Sequence, residues 1–248
     1  YDYALKAIEK GLHFFIEKPV TQTLEQAEDI LIKCRENSIK AQVGHVERYN
    51  PAFIGAKDYI QNPMFIEIHR LAEFNPRGTD VSVVLDLMIH DLDILLSVVK
   101  SKVKNIHASG VCVVSKTPDI TNARIEFENG CVANLTTSRI SMKAMRKSRF
   151  FQKDAYISVD FLEKKAEVIR MKDAPENPTP FDMIIENAEG EKNQILFEYP
   201  NIQPNNAILD ELNSFADAIL EEKNVEVSLE DGTEALKVAL KIMDLIKV

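Results

Sequence analysis

What this sequence lacks narrows its chemistry. Its three cysteines, Cys34, Cys112 and Cys131, are an odd number with no Cys-x-x-Cys spacing, which argues against a disulfide framework or a cysteine-bound zinc and makes a reducing cytoplasm the default. No apolar run reaches the ~18 residues that a membrane span needs, because charges interrupt even the most hydrophobic stretch. Basic residues are in deficit. Thirty Lys and Arg against 39 Asp and Glu leave a net charge of −9, which argues against a broad nucleic-acid footprint or a polybasic membrane contact. No repeat or low-complexity segment is present. The first residue is Tyr rather than Met, and Tyr1–Gly11 already reads as a helix closed by glycine, so the sequence is expected to begin inside a domain.

What is present supports a folded chain. With 248 residues, 45% of them hydrophobic, it can build one large core or two smaller ones. After Gly11, the apolar run His13–Ile16 predicts a strand, Thr23 caps a helix to about Asn37, and Ala41–Gly44 predicts a second strand. Such an alternation is half of a parallel α/β layer, and its other strands are expected before residue 1. Asn50 and Pro51 then start a helix. From Val103 onward the period is two. The Asn129-Gly130 pair predicts a hairpin with a type I′ turn, Glu189-Gly190 predicts a second, and helices over Asn206–Glu222 and Asp231–Lys247 close the chain. The later part is therefore expected to be an open, mainly antiparallel sheet with helices on one face. Its uncovered face predicts a homodimer or homotetramer.

The stretch with most chemical content is Asp86-Leu-Met-Ile-His90-Asp-Leu-Asp93. Within a helix predicted over Asp80–Val99, Asp86, His90 and Asp93 fall at i, i+4 and i+7 and would line one face of an otherwise apolar rod. A carboxylate one turn before a histidine can fix its tautomer and raise its basicity. Equally, the two groups can simply satisfy each other in the core.

Other segments share this pattern in register. Glu17-Lys18-Pro19 ends a strand, Gly44-His-Val-Glu-Arg48-Tyr49-Asn-Pro51 forms a turn, and Leu229-Glu-Asp-Gly232-Thr-Glu-Ala-Leu236 opens the last helix. Together with Asp86-x-x-x-His90-Asp-x-Asp93, the order resembles the Gfo/Idh/MocA family of NAD(P)-dependent oxidoreductases. The wording is most similar to its sugar-nucleotide branch, that of the UDP-N-acetylglucosamine 3-dehydrogenases. The resemblance implies that residues 1–45 are the C-terminal part of a Rossmann-like, doubly wound NAD(P)-binding domain, and that 46–248 form an α+β domain for substrate binding and oligomerisation. The family's Gly-rich fingerprint is not among these residues, so the chain by itself is not expected to hold the cofactor well. Val83-Val84 stands where many members carry a Gly pair.

The implied reaction is oxidation of a hydroxyl on a sugar or nucleotide sugar, with hydride passing to NAD or NADP. By the resemblance His90 is the general base or acid, Asp86 its orienting carboxylate, and Lys18 the cation contacting substrate oxygen and nicotinamide ribose. Glu17, Lys18 and Pro19 border the cofactor, and the Lys18–Pro19 bond is expected to be cis, as is usual in the family. Arg48, Tyr49, Arg77 and Asp93 are the candidate substrate contacts. For Asp93 a cap or a core ion pair is an equal alternative, for Arg48 a plain surface charge, and Arg77 is chosen because a guanidinium binds phosphate or carboxylate bidentately.

Some features point elsewhere. The basic and aromatic segment Met142–Lys153 reads as a charged strand or loop edge, with contact to a nucleotide-sugar diphosphate as a second possibility. His90-Asp91 would suit a metal-dependent phosphohydrolase of the HD type, but those sites belong to helical domains and no metal is expected here. A non-catalytic sugar-nucleotide-binding or oligomerisation module without its cofactor domain is the remaining alternative. His13, His45, His69 and His107 receive no catalytic role.

Overall fold

The computed structural model describes residues 1–248 except Arg77, Thr79, Lys247 and Val248. The expected substrate contact of Arg77 thus lies outside the described residues. The chain opens with α1 (Asp2–Glu9), β1 (Phe14–Glu17), α2 (Leu24–Glu36) and β2 (Ala41–Gly44). Gly11, at φ +66°, turns the chain out of α1, as the glycine stop predicts. Thr23 caps α2 through its hydroxyl, which accepts from the Gln26 amide at 3.3 Å. β1 and β2 pair in parallel, the Rossmann-like start expected of this region.

A 3-10 turn (Val46–Tyr49) follows, then α3 (Pro51–Ala56), with Asn50 accepting from the Ala52 amide at 3.1 Å and Pro51 at the first helical position. Next come β3 (Phe65–Leu71), a π-helical turn (Val84–Met88) and α4 (Ile89–Val98). The antiparallel region comprises β4 (Val103–Val111), β5 (Ile120–Phe127), β6 (Val132–Ser138), β7 (Met145–Phe151), β8 (Ala155–Asp160), β9 (Lys165–Asp173), β10 (Met183–Glu186) and β11 (Lys192–Glu198), and α5 (Ala207–Leu220) and α6 (Leu229–Leu245) close the chain. No helix among the described residues is long and apolar enough to cross a membrane.

The nine strands from β3 onward form one sheet in the order β10-β11-β9-β8-β7-β3-β6-β5-β4, antiparallel except where β3 joins β6 in parallel. One face carries the main core, with Ile66, Ile125, Leu135, Phe150 and Ile157 packed under Met88, Leu92 and Leu95. α6 also reaches back to the first unit. Val227, Leu229 and Leu236 join the cluster of Ile8, Ile30 and Val43, and a Cβ on Gly232 would stand 2.7 Å from Val43, so α6 approaches β2 as closely as only glycine permits.

The structure corrects two local expectations. The 128–130 connection is not a type I′ turn on Asn129-Gly130. The Gly130 amide bonds to the Phe127 carbonyl at 3.0 Å with only Gly130 at positive φ, because the Asn129 side chain accepts from the Cys131 amide and its amide is held by Ser101. The basic segment 142–153 is not an edge either: β7 lies inside the sheet between β3 and β8.

Candidate active site

Lys18 follows the last residue of β1, where a parallel strand delivers side chains to the crevice at its carboxyl end. The Lys18–Pro19 peptide is cis. The Lys18 ammonium donates to the backbone carbonyl of Asp86 at 2.7 Å and stands 3.7 Å from its carboxylate. Burial pushes its proton affinity down, and Asp86 opposes that shift.

His90 lies on the first turn of α4, half-buried, with Nδ1 enclosed and without a hydrogen-bond partner among the described residues. Burial first, then the positive charges of Arg70 and Lys18, hold its pKa well below the ordinary imidazole value. It is therefore neutral at physiological pH and ready to accept a proton.

The expected Asp86–His90 hydrogen bond is not present among the described residues. Asp86, within the π-turn at Val84–Met88, is exposed and turned to Lys18. Of the three residues expected on one face, Asp86 is exposed, His90 half-buried and Asp93 buried. Asp93 is instead 1% exposed and receives two bonds from Arg48, from Nε at 2.7 Å and Nη2 at 2.8 Å. Arg48 thus spends its charge inside the protein, chiefly on Asp93 and also on Asp231 at 3.9 Å. Tyr49 is turned into the first core, where its hydroxyl donates to Ser214 on α5 at 3.1 Å. Among the expected cofactor contacts, Glu17 and Pro19 line a cavity of about 430 Å³ with Tyr1, Thr21 and Gln26, between β1 and the N-terminal ends of α1 and α2.

Beneath His90 lies a buried ion network that the sequence did not disclose. Arg70, 3% exposed on β3, holds both oxygens of Asp91 through Nε and Nη2 at 2.9–3.0 Å and donates to Glu47 from Nη1 at 3.0 Å. Glu47 also accepts from Asn50 and stands 3.5 Å from Arg146, the neighbour of Arg70 across the β3–β7 pair. With both oxygens engaged, Asp91 is not free to bind a metal beside His90, which disfavours the HD-type alternative. Arg139, 8% exposed, donates to the carbonyls of Val81 at 2.7 Å and Gly78 at 3.3 Å and so pins the loop leading into the π-turn.

Residues 1–45 match the oxidoreductase family with the NAD-binding Rossmann fold, and residues 64–152 match the GFO/IDH/MocA C-terminal domain. The chain belongs to the Gfo/Idh/MocA family. It is 36% identical over 167 residues to the UDP-N-acetylglucosamine 3-dehydrogenase of Acidithiobacillus ferrooxidans, which is 65% of this chain and 52% of that protein. To the scyllo-inositol 2-dehydrogenase (NAD(+)) of Bacillus subtilis it is 26% identical over 155 residues, 56% of this chain and 45% of that one. The chain spans about half the length of the curated relatives it matches. A solved structure of the Acidithiobacillus enzyme aligns with a TM-score of 0.86 at 29% identity, over 99% of this chain and 74% of that one.

Sequence reasoning did not single out Arg70, Asp91, Glu47 or Arg139, and gave His45 no role. Asp91 carried a readable signal, a charge in an apolar helix with no partner at i±3 or i±4 of opposite sign. Arg70 carried a readable signal too, since alternation puts it on the face of Ile66 and Ile68, opposite Glu67 and His69.

Proposed function

We propose that this protein oxidises a hydroxyl of a nucleotide sugar, UDP-N-acetylglucosamine being the first candidate, with NAD or NADP as hydride acceptor. The observation that carries the reading is the convergence of a partly desolvated Lys18 and a neutral His90 beside the carboxyl end of β1. The likeness to the Acidithiobacillus enzyme over 65% of this chain supports the substrate class.

The residues present fit the nicotinamide end of such a cofactor. Glu17 and Pro19 offer a wall of the cavity at β1, and Lys18 offers a cation to a ribose or substrate oxygen. When bound, the cofactor accepts the hydride from the carbinol carbon. His90 takes the hydroxyl proton, while Lys18 stabilises the negative charge that grows on the oxygen. Asp86 acts on Lys18 rather than on His90, keeping the ammonium charged against the pull of burial. Arg48 and Asp93 tie the turn after β2 to α4. Residues 1–45 serve the cofactor and 46–248 the substrate and assembly, with α6 bridging the two.

Assembly as a homodimer or homotetramer is supported by the open sheet face. There Val132, Phe65, Phe151, Tyr156, Ile169 and Phe197 are successive cross-strand neighbours, an apolar band six strands wide, with Phe151 5.9 Å from Phe65 and 5.1 Å from Tyr156. Unpaired Cys34, Cys112 and Cys131 fit a reducing cytoplasm.

The test is formation of reduced nicotinamide, followed by absorbance, when the intact protein meets UDP-N-acetylglucosamine and NAD⁺ or NADP⁺. Turnover that His90→Asn removes is expected. No turnover with nucleotide sugars, against turnover with free inositols or sugars, would reassign the substrate class.

A further inference from the structure

His45 sits directly after β2 and is 1% exposed, yet neither of its ring nitrogens has a hydrogen-bond partner among the described residues. Enclosing a polar group without a partner costs about 1–3 kcal/mol, so such a ring is expected to meet something that arrives in the site. Its neighbour is His90. The two ring centroids are 6.4 Å apart and the planes stand at 88°, with His90 Nδ1 also enclosed and unpartnered. The two rings share no direct bond, and their unpartnered nitrogens stand in adjoining rings.

We propose that His45 is a second proton-carrying imidazole of this site, taking over, through one bridging water, the proton that His90 receives from the substrate hydroxyl. The inference rests on the dehydrogenase reading above. In the balanced step the substrate O–H bond breaks and its proton goes to His90 Nε2. The hydrogen on His90 Nδ1 passes to the bridging water, and that water gives one of its own to a nitrogen of His45. One proton has then moved from substrate to His45, and His90 is neutral in its other tautomer. The electron pair of the adjacent C–H bond leaves as hydride to NAD(P)⁺.

The charges around the rings set the direction. His90 is surrounded by positive groups, Arg70 from β3, Lys18 from the end of β1 and Arg146 from β7. His45 also feels Lys18 and Arg48, but Asp93 on α4 and Asp231 on α6 act on it in the opposite sense. The carboxylates beneath His90, Asp91 and Glu47, are bonded to Arg70, whereas burial at His45 is offset by those two negative groups.

Ring-nitrogen NMR titration of the intact protein tests the pair without any turnover. Rings bridged by one water titrate as a coupled pair. Replacing either, in His45→Phe or His90→Phe, is expected to displace the titration of the other by about one unit or more and to change its tautomer. A ring that titrates identically without its neighbour overturns the proposal. If the pair is coupled but the protein oxidises no sugar, the dehydrogenase reading falls and the shared proton stands. In the active protein, His45→Gln keeps a hydrogen-bonding side chain but cannot carry a proton, and it is expected to lower kcat about 100-fold with KM little changed. A His45→Gln variant with unaltered kcat overturns the proposal as well.

Discussion

Arg48 grips Asp93 through two parallel bonds of 2.7 and 2.8 Å, and this pair fastens the turn that carries His45 to the helix that carries His90. Both side chains are largely withdrawn from solvent, at 11% and 1% exposure, so each is the other's compensation. Removing one leaves a buried charge, and Arg48→Met or Asp93→Asn alone is expected to cost about 3–5 kcal/mol. Replacing both, as Arg48→Met with Asp93→Leu, should cost clearly less than either single change. Denaturant unfolding of the four proteins in a double-mutant cycle checks this, and additive losses would contradict the pairing.

Lys18 draws its shorter contact from the Asp86 carbonyl, which no side-chain substitution removes. The carboxylate is 3.7 Å away and its side chain is 52% exposed. Asp86→Ala is therefore expected to lower kcat only about 10-fold, whereas Lys18→Met should lower it by a further factor of 100 or so, since it deletes the charge aimed at the reacting oxygen. Steady-state kinetics decide; equal losses would restore the carboxylate to a direct role on His90.

Acid should destabilise the fold through its two site histidines. Both hold fewer protons folded than unfolded, so the unfolded chain gains protons first as pH falls below about 6.5. The stability they contribute is complete above that pH and declines below it. Glu211 behaves in the opposite sense. Buried on α5 and facing Glu17 and Asp93, its carboxyl is pushed up to about 7 from 4.5, so stability is lost as pH rises from 4.5 through 7. Glu211→Gln should leave Tm unchanged near pH 4 and raise stability at pH 8 by up to roughly 3 kcal/mol. Melting curves at the two pH values test it.

Arg139 pins two carbonyls of the 78–81 loop with a guanidinium that is 8% exposed. Arg139→Ala should raise KM for substrate several-fold and change kcat little, because the held segment leads into the turn that carries Asp86 and itself supplies no reacting group. Limited proteolysis is expected to cut 78–81 faster in that variant; unchanged KM and cleavage would show that the loop holds without it.

Much of the fold was legible from local chemistry. Gly11, Thr23, Asn50-Pro51 and Asn206 mark helix ends where the structure has them, since caps depend on residues one to three apart. Alternation from Val103 onward disclosed the strands, because a sheet with one covered face writes its burial into every second residue. Strand order was not readable: nothing local says that β3 must enter between β6 and β7.

By itself, the sequence determined that Asp86 and His90 stand one helical turn apart, that Lys18-Pro19 and their neighbours resemble a known family's motifs in order, and that the apolar content suffices for a core. Only the tertiary structure decided who partners whom. Asp86 turned to Lys18, the packing of α4 on β3 committed Asp91 to Arg70, and the approach of α4 to the turn after β2 committed Asp93 to Arg48. The reason is physical. Periodicity fixes which face a side chain shares, but the pairing of buried charges is settled by long-range neighbours in a low-dielectric interior, where leaving any one of them unpaired costs more than the local helix geometry can resist.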